Sequence, residues 1–264
     1  MEKYFKVFSL QFKRNMMYKF QTWSRILGDI MFIFMWYYVW KGLYNGCQTI
    51  SGVSFDKMVV YALAAQFLIT LNNAASPIWR TDPLFRTGDI ANELIRPYNF
   101  TLRILFECMA NSVAYLLLST IWVFGAAILI LKVKIEVTPF FVFMFFVSGF
   151  LGYLIRYFIE LCFSYLSFWI VNVGGIRILF LFLISLLSGS VVPLWYFPST
   201  IRFLADILPL KYIYYVPNLM LTNVQSVSEV LQYIGVQIIW LVLLVILSQV
   251  VWKRGNHKVI INGG

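Results

Sequence analysis

The side chains of this sequence that could do chemistry are few, and one close pair lies inside a long apolar run. Arg156 and Glu160 are four residues apart within the run 138–170. At this spacing two side chains share one face of a helix and can neutralise each other. Because an isolated charge in a bilayer costs at least about 2.5 kcal/mol, the pair is predicted either to bridge buried structure or to line a polar substrate path.

Two further polar groups interrupt other apolar runs. Glu107 and Asn111 repeat the four-residue spacing, and Asn72 and Asn73 are neighbours. Polar side chains at such positions more often join helices than bind a substrate. Both interpretations, helix packing and a substrate path, therefore stay open for these residues.

The sequence lacks the residue sets of common enzyme and metal sites. Its one histidine, His257, lies in the C-terminal tail, so a Ser/His/Asp arrangement has no suitable base. The phosphate-binding pattern G-x-x-x-x-G-K-[ST] does not occur. Cys47, Cys108 and Cys162 are far apart and lack metal-ligand spacing. We therefore expect no catalytic residue, no metal and no cofactor in this chain.

The composition indicates a polytopic membrane protein. Of 264 residues, 61% are hydrophobic and 12% are charged, with a mean hydropathy of +0.80. A soluble domain carries roughly twice that share of charge. The apolar runs are continuous rather than alternating, which favours helices over a β-barrel. The predicted fold class is all-α, in a single membrane domain covering 1–264.

An amphipathic helix is predicted before the first span. In residues 3–22, Phe5, Phe8, Phe12, Met16 and Phe20 recur every three or four positions, with lysine and arginine mainly between them. This pattern is typical of a helix that lies in the membrane interface. The alternative is a helix packed on the cytoplasmic face of the protein.

Six transmembrane helices are predicted, because about 20 apolar residues cross a bilayer. They are placed at 26–44, 57–79, 101–131, 138–170, 176–195 and 228–252. The third and fourth runs exceed this need by about 10 residues, or roughly 15 Å of helix, so they tilt or project from the membrane.

The connections between the spans differ in character. A polar segment, 80–100, joins the second and third spans, and a short turn, 132–137, joins the third and fourth. Asn172, Gly174 and Gly175 break the chain before the fifth. The stretch 195–224 is rich in Pro, Tyr and Trp, which predicts short helices at the outer leaflet or dipping into it.

The distribution of positive charge predicts the orientation. Fourteen of the 21 Lys and Arg residues fall in 1–25, 77–103, 170–177 and 253–264, and six fall in the opposite loops. Cytoplasmic loops carry the excess of positive charge, so both termini and the polar segment are expected in the cytoplasm. The net charge of +10 has this explanation, and nucleic-acid binding is not expected.

The order of three motifs resembles the permease subunits of the type-2 ABC exporters, a family that exports drugs, antibiotics and polysaccharides. The first is the basic amphipathic helix at 3–22. The second is Gly88–Pro97, which fits G-[DE]-x-x-x-x-L-x-R-P, and the third is Leu187–Leu194, which reads LSGSVVPL. The resemblance covers nearly the whole chain.

The resemblance implies an ATP-driven exporter in the cell membrane of a bacterium, built from two permeases and two separate ATP-binding subunits. ATP and Mg would bind to those partners, which would carry the ATPase activity, and membrane lipid would surround the permeases. The substrate would be an amphipathic drug, peptide, lipid or glycan, and the second permease would be the same chain or a related one. The resemblance also implies which residues couple the permease to the ATPase: Gly88, Asp89, Glu93, Leu94, Arg96 and Pro97.

Two other classes of function compete with this interpretation. A membrane-embedded enzyme that modifies lipids would need clustered acids or histidines at an interface. The other alternative is an ion channel or a scaffold without energy coupling. A gene for an ATP-binding-cassette ATPase next to the gene for this chain would favour the exporter.

Overall fold

The computed structural model describes residues 2–74, 76–133, 137–170, 174–222 and 226–257, and within these the chain is built almost entirely of helices. A two-residue strand pair, Thr49–Ile50 (β1) with Val53–Ser54 (β2), closes the hairpin after the second helix. The helices are α1 Glu2–Met17, α2 Lys19–Tyr44, α3 Phe55–Ala74, α4 Ile78–Thr87, α5 Ile90–Leu94, α6 Phe100–Tyr115, α7 Ile121–Ile130, α8 Pro139–Tyr165, α9 Gly174–Leu187, α10 Ser199–Ile207, α11 Tyr215–Thr222 and α12 Val227–Asn256.

Five of the helical segments described are long and apolar enough to cross a membrane. They are Phe20–Tyr44, Phe55–Thr87, Phe100–Ile130, Pro139–Phe168 and Val227–Asn256. Together with their composition, they make the chain an all-α polytopic membrane protein. Few of the large apolar side chains of Phe20–Tyr44 and Val227–Asn256 are buried, as lipid-solvated helices require, whereas Phe55–Thr87 is the most buried of the five.

The third span is continuous but contains one irregular turn. One π-helical turn, Leu116–Thr120, joins α6 to α7. Ser119 and Thr120 both donate their side-chain hydroxyls to the carbonyl of Tyr115, at 3.0 and 3.1 Å. These bonds satisfy one carbonyl at this turn, as a turn inside a membrane requires.

The fifth apolar helix is shorter than the sequence predicts. A span was expected at 176–195, but α9 ends at Leu187. Gly189 then takes a φ of +71°, a backbone conformation that glycine adopts without the strain of a Cβ. The chain turns there, and the 14 residues of α9 are about 21 Å long, less than the thickness of a hydrocarbon core.

The segment after α9, residues 188–222, folds back into the protein, and we call it the returning segment. Most of α11 is buried, and this helix packs against both α3 and α8. A Cβ at Gly152 of α8 would lie 2.7 Å from the carbonyl oxygen of Ile213, so the absence of a side chain lets this segment approach α8. The tyrosines of the stretch were expected at the membrane interface, yet Tyr212 and Tyr214 are buried. For Tyr214, a partner within the protein explains the difference, because its hydroxyl oxygen accepts a hydrogen bond from Arg156.

A polar contact joins α8 to α12. Gln237 is fully buried and donates through Nε2 to the carbonyl oxygens of Ser148 and Tyr212, at 3.0 and 2.9 Å. Ser148 Oγ donates in return to Gln237 Oε1 at 3.0 Å. These bonds fix α12 and the returning segment against the same turn of α8.

The N-terminal helix also ends earlier than predicted. The helix expected at 3–22 stops at Met17, because Tyr18 leaves the helical conformation with a ψ of 66°, and Phe20 belongs to α2. α1 packs along α6, where Tyr4 stacks on Phe106. Three features predicted from the sequence lie wholly or partly outside the described residues: the turn at 132–137, the break at Asn172, and the tail beyond His257.

Candidate functional site

A buried ion pair lies at the centre of the bundle. Arg156 and Glu160 occupy successive turns of α8, and the distance from Arg156 Nε to Glu160 Oε1 is 2.6 Å. Glu160 is 0% exposed and Arg156 is 8% exposed. Each charge therefore depends on the other for compensation.

Three neighbours complete the hydrogen bonding of this pair. Ser76 donates its hydroxyl to Glu160 Oε2. Arg156 donates through Nη1 to the hydroxyl oxygen of Tyr214 and through Nη2 to Asn73 Oδ1, the latter at 3.0 Å. The pair consequently connects α8 with the end of α3 and with the segment that returns before α11.

The two asparagines of α3 have different surroundings. Asn73 contacts Arg156 and is exposed. Asn72 is buried and donates to the carbonyl oxygen of Leu68, one turn earlier in the same helix, at 2.8 Å. The structure therefore places Asn73 beside the Arg156–Glu160 pair, whereas Asn72 bonds to a backbone carbonyl of its own helix.

A partly open cavity of about 450 Å³ adjoins Arg156. Its walls come from α3, α4, α8, α9 and the returning segment. The polar side chains described in its lining are Asn73, Ser76, Trp79, Arg156, Ser185, Ser190 and Tyr214. Glu160 is not among them, so the cavity meets the cation of the pair and not its anion.

The polar segment 88–97 forms a sharp corner and one short helix. Gly88 has a φ of +79°, which ends α4, and α5 follows at Ile90–Leu94. Asp89 is exposed and accepts a hydrogen bond from the Thr87 hydroxyl at 2.6 Å. This bond ties the carboxylate to the preceding helix across the corner.

Glu93 faces the protein rather than the solvent. It is 7% exposed, and Oε2 lies 3.0 Å from Arg103 Nη2 of α6 and accepts a 2.7 Å hydrogen bond from the Tyr98 hydroxyl. Arg96 Nη1 lies 3.5 Å from Oε1. Glu93 was predicted to help couple the permease to the ATPase, and that role stays a prediction. Within the chain, its contacts anchor the segment to α6.

The electrostatics of the segment follow from these contacts. The hydrogen bond to Tyr98, and then the charge of Glu93, raise the pKa of Arg96 above its ordinary value. Burial, and next the hydrogen bond to Glu93, raise the pKa of Tyr98. Arg96 is therefore a permanent cation beside a neutral phenol.

The outward surface of the segment is apolar and basic. Leu94, Ile95, Arg96 and Pro97 are all exposed, and Ile95 is 82% exposed. Four consecutive exposed residues on an anchored corner form a compact surface, which we call the corner surface.

Glu107 and Asn111 do not form a pair with each other in the structure. Glu107 Oε2 lies 2.7 Å from Arg80 Nη2, and its Oε1 lies 2.6 Å from Arg103 Nη1. Asn111 Oδ1 instead accepts hydrogen bonds from Gln11 and Asn15 of α1, both at 2.8 Å. The expected similarity to Arg156 and Glu160 fails, because Glu107 pairs with Arg80 of α4 and Arg103 of its own helix, and Asn111 bonds to α1.

Several functional neighbours were not found from the sequence. Arg80 and Arg103 were read only as loop charges, Ser76 was not singled out, and Tyr214 was read as an interfacial aromatic. Arg103 does precede Glu107 by four residues, a signal that could have revealed their pairing. The contacts of Ser76 and Tyr214 join distant parts of the chain and have no sequence signal. Among the described residues, no cluster of three His, Cys, Asp or Glu side chains is placed to hold a metal.

Comparison with known protein families gives one match. The model of the family described as ABC-2 family transporter protein matches residues 30–263. Neither a curated protein nor a solved structure matches the chain significantly. The matched residues begin within α2 and include every later helix, with Arg156, Glu160 and the corner surface.

Proposed function

This chain belongs to the ABC-2 transporter family, and from that premise we propose that it is the permease subunit of an exporter powered by a separate ATP-binding subunit. The corner surface carries the proposal. An exposed apolar side chain such as Ile95, beside the permanent cation Arg96, suits a protein partner in water and not a lipid tail.

The anchoring of the corner supports a mechanical role. Glu93 pairs with Arg103 of α6, and Arg103 also pairs with Glu107 of the same helix, so one ion pair ties the corner to α6. Glu107 in turn binds Arg80 of α4. A displacement of the corner by ATP binding in the partner would therefore be transmitted to α4 and α6 together.

The proposed topology has six spans, with α9 as the short fifth one, and both termini in the cytoplasm of a bacterial cell. The charge distribution of the loops supports this orientation. α1 is assigned to the membrane interface on the same side, and its exposed Phe5, Leu10 and Met17 support that assignment. α10 lies on the outer side, while α11 is inserted between α3 and α8.

The proposed complex contains two permeases, alike or different, and two ATP-binding subunits that hold ATP and Mg. The polar cluster around Arg156 and its cavity are proposed as part of the substrate path. The cavity supports this, because its volume of about 450 Å³ falls within the range of small-molecule sites.

The test is purification of the tagged chain from its own membranes in a mild detergent, followed by an ATPase assay and identification of the bound proteins. We expect an ATP-binding subunit and ATP hydrolysis. Ile95→Asp should remove both, because it places a carboxylate in the apolar contact.

The matched control is Val227→Asp in the first turn of α12. Val227 is a β-branched residue that is also exposed, and an acid in the first turn of a helix is favourable. Purification of the wild-type chain without any ATP-binding protein, or equal loss in both variants, would reject the proposal.

A further inference from the structure

We propose that the cavity beside Arg156 binds an amphipathic anion, a molecule with a phosphate or carboxylate head and a hydrocarbon chain. This assignment rests on the proposed transport function, because it names the substrate class of the path. The binding site itself is defined by the geometry described below and does not depend on the ATP-binding partner.

Hydrogen-bond donors left without an acceptor favour an oxyanion. A guanidinium has five N–H groups, and Arg156 uses three on Glu160, Tyr214 and Asn73. Within the part of the chain that the structure describes, neither the hydroxyl hydrogen of Tyr214 nor the Asn73 amide has an acceptor. All three side chains line the cavity.

The other hydroxyls of the cavity are already engaged as donors. Ser185 donates to the carbonyl oxygen of Phe182 at 2.8 Å, Ser190 donates to that of Ser185 at 2.9 Å, and Ser76 donates to Glu160. The unused N–H and O–H groups of Arg156, Tyr214 and Asn73 thus match a group that offers several acceptors.

The charges facing the cavity also favour an oxyanion. Arg156 is the one charged residue among the described residues that line it. Its counterion, Glu160, is fully buried and does not line the cavity. Each of its two carboxylate oxygens accepts a hydrogen bond, one from Arg156 and one from Ser76. A ligand oxyanion would therefore meet donors and a cation, and no carboxylate that repels it.

The remaining wall suits a hydrocarbon chain. Ile69 of α3 and Leu181, Ile184 and Val191 from α9 and the turn after it complete the described lining. The polar and apolar residues thus share one space between α3 and α9. A molecule with an oxyanion at one end and a chain at the other satisfies both parts, whereas a small inorganic anion would leave the apolar wall unfilled.

Quenching of Trp79, which lines the cavity, provides a direct assay. The purified chain, in an uncharged detergent, is titrated with a dibrominated C18 fatty acid and with its uncharged methyl ester, since bromine quenches an indole that it contacts. The chain has nine tryptophans, so the Trp79→Phe variant defines the part of the signal that comes from the cavity.

We expect the acid to quench the Trp79 signal at a concentration at least tenfold below that of the ester, because only the acid offers a charged acceptor to the donors of Arg156, Tyr214 and Asn73. Inorganic phosphate at millimolar concentration should not displace the acid. In Arg156→Gln with Glu160→Gln, which removes both charges together, acid and ester should bind alike.

A second variant keeps the proposal testable if the double glutamine variant does not fold. Ser185→Phe fills the cavity without touching the ion pair, and it should weaken binding of acid and ester equally. Equal binding of acid and ester to the wild type, unchanged quenching in Trp79→Phe, unchanged binding in the folded double glutamine variant, or displacement by phosphate would each overturn the proposal. Because the assay contains no ATP-binding subunit, its failure would leave the coupling proposal standing, and the reverse also holds.

Discussion

Arg103 reaches from the first turn of α6 to Glu93 on the neighbouring α5, with Nη2 3.0 Å from Oε2. Through Nη1 the same guanidinium lies 2.6 Å from Glu107. One arginine therefore joins the short helix to a long apolar span. Glu93 is 7% exposed, so the carboxylate positions the corner surface and is not itself part of it.

Removing the Glu93 carboxylate should loosen the corner. In Glu93→Ala, Arg103 and Tyr98 lose an acceptor, and a buried polar group left without its partner costs about 1–3 kcal/mol. We expect a lower melting midpoint of the purified chain and less bound ATPase. Glu2→Ala is the control, because the Glu2–Lys6 pair is also a carboxylate–cation contact but is exposed to solvent, where such pairs contribute about 0–1 kcal/mol. Equal effects of both substitutions would show that Glu93 anchors nothing.

A methyl group at Gly152 should disrupt the packing of the returning segment. Its Cβ would lie 2.7 Å from the carbonyl oxygen of Ile213 and 2.8 Å from that of Tyr212. Because these are backbone atoms, Gly152→Ala should cost roughly 1–3 kcal/mol. Gly235→Ala, in α12, meets nothing within 4 Å and should be neutral or stabilising. Thermal unfolding in detergent compares the two, and an unchanged midpoint for Gly152→Ala would contradict this packing.

Features that depend on residues close together in the sequence could be predicted, whereas contacts between distant helices could not. Continuous apolar runs predicted the helical membrane class, because lipid solvation is a local requirement of each segment. The four-residue spacing of Arg156 and Glu160 predicted their contact for the same reason. By contrast, the same spacing misled for Glu107 and Asn111, whose actual partners come from α1, α4 and α6.

The burial of the returning segment could not be predicted, because it depends on contacts with residues far away in the sequence. The prolines and tyrosines of 195–224 indicated short interfacial helices, and α10 and α11 are indeed short. The burial of Tyr214 depends on the polar partner Arg156, which is 58 residues away. The early end of α9 precedes the positive φ of Gly189, a residue that the predicted span 176–195 included.

Neutralising one residue of the buried pair should destabilise the chain more than neutralising both. Glu160→Gln leaves Arg156 without its counterion, and removing one partner of a buried pair costs roughly 3–5 kcal/mol. Arg156→Gln combined with Glu160→Gln leaves no stranded charge and keeps amides near Asn73, Tyr214 and Ser76. We expect the double variant to melt above the single one. A single variant as stable as the wild type would show that the two groups do not depend on each other.

Native cysteines provide a test of the orientation. Cys47, after α2, is exposed, whereas Cys108 is buried and Cys162 is partly buried. A maleimide that cannot cross membranes should label intact cells through Cys47, and Cys47→Ser should abolish labelling. In that background Thr87→Cys should react only after the membrane is opened. Labelling of Thr87→Cys in intact cells would place the corner surface outside and reject the six-span orientation.

A photo-crosslinking amino acid at position 95 tests the central claim most directly. After irradiation of intact cells, the account predicts one adduct that contains an ATP-binding subunit, because Ile95 is the most exposed side chain of the corner surface. The same amino acid at position 227, on the proposed outer side, should give no such adduct. An account in which 88–97 couples the permease to its ATPase would be contradicted if position 95 captured only lipid, or if both positions captured the ATP-binding subunit equally.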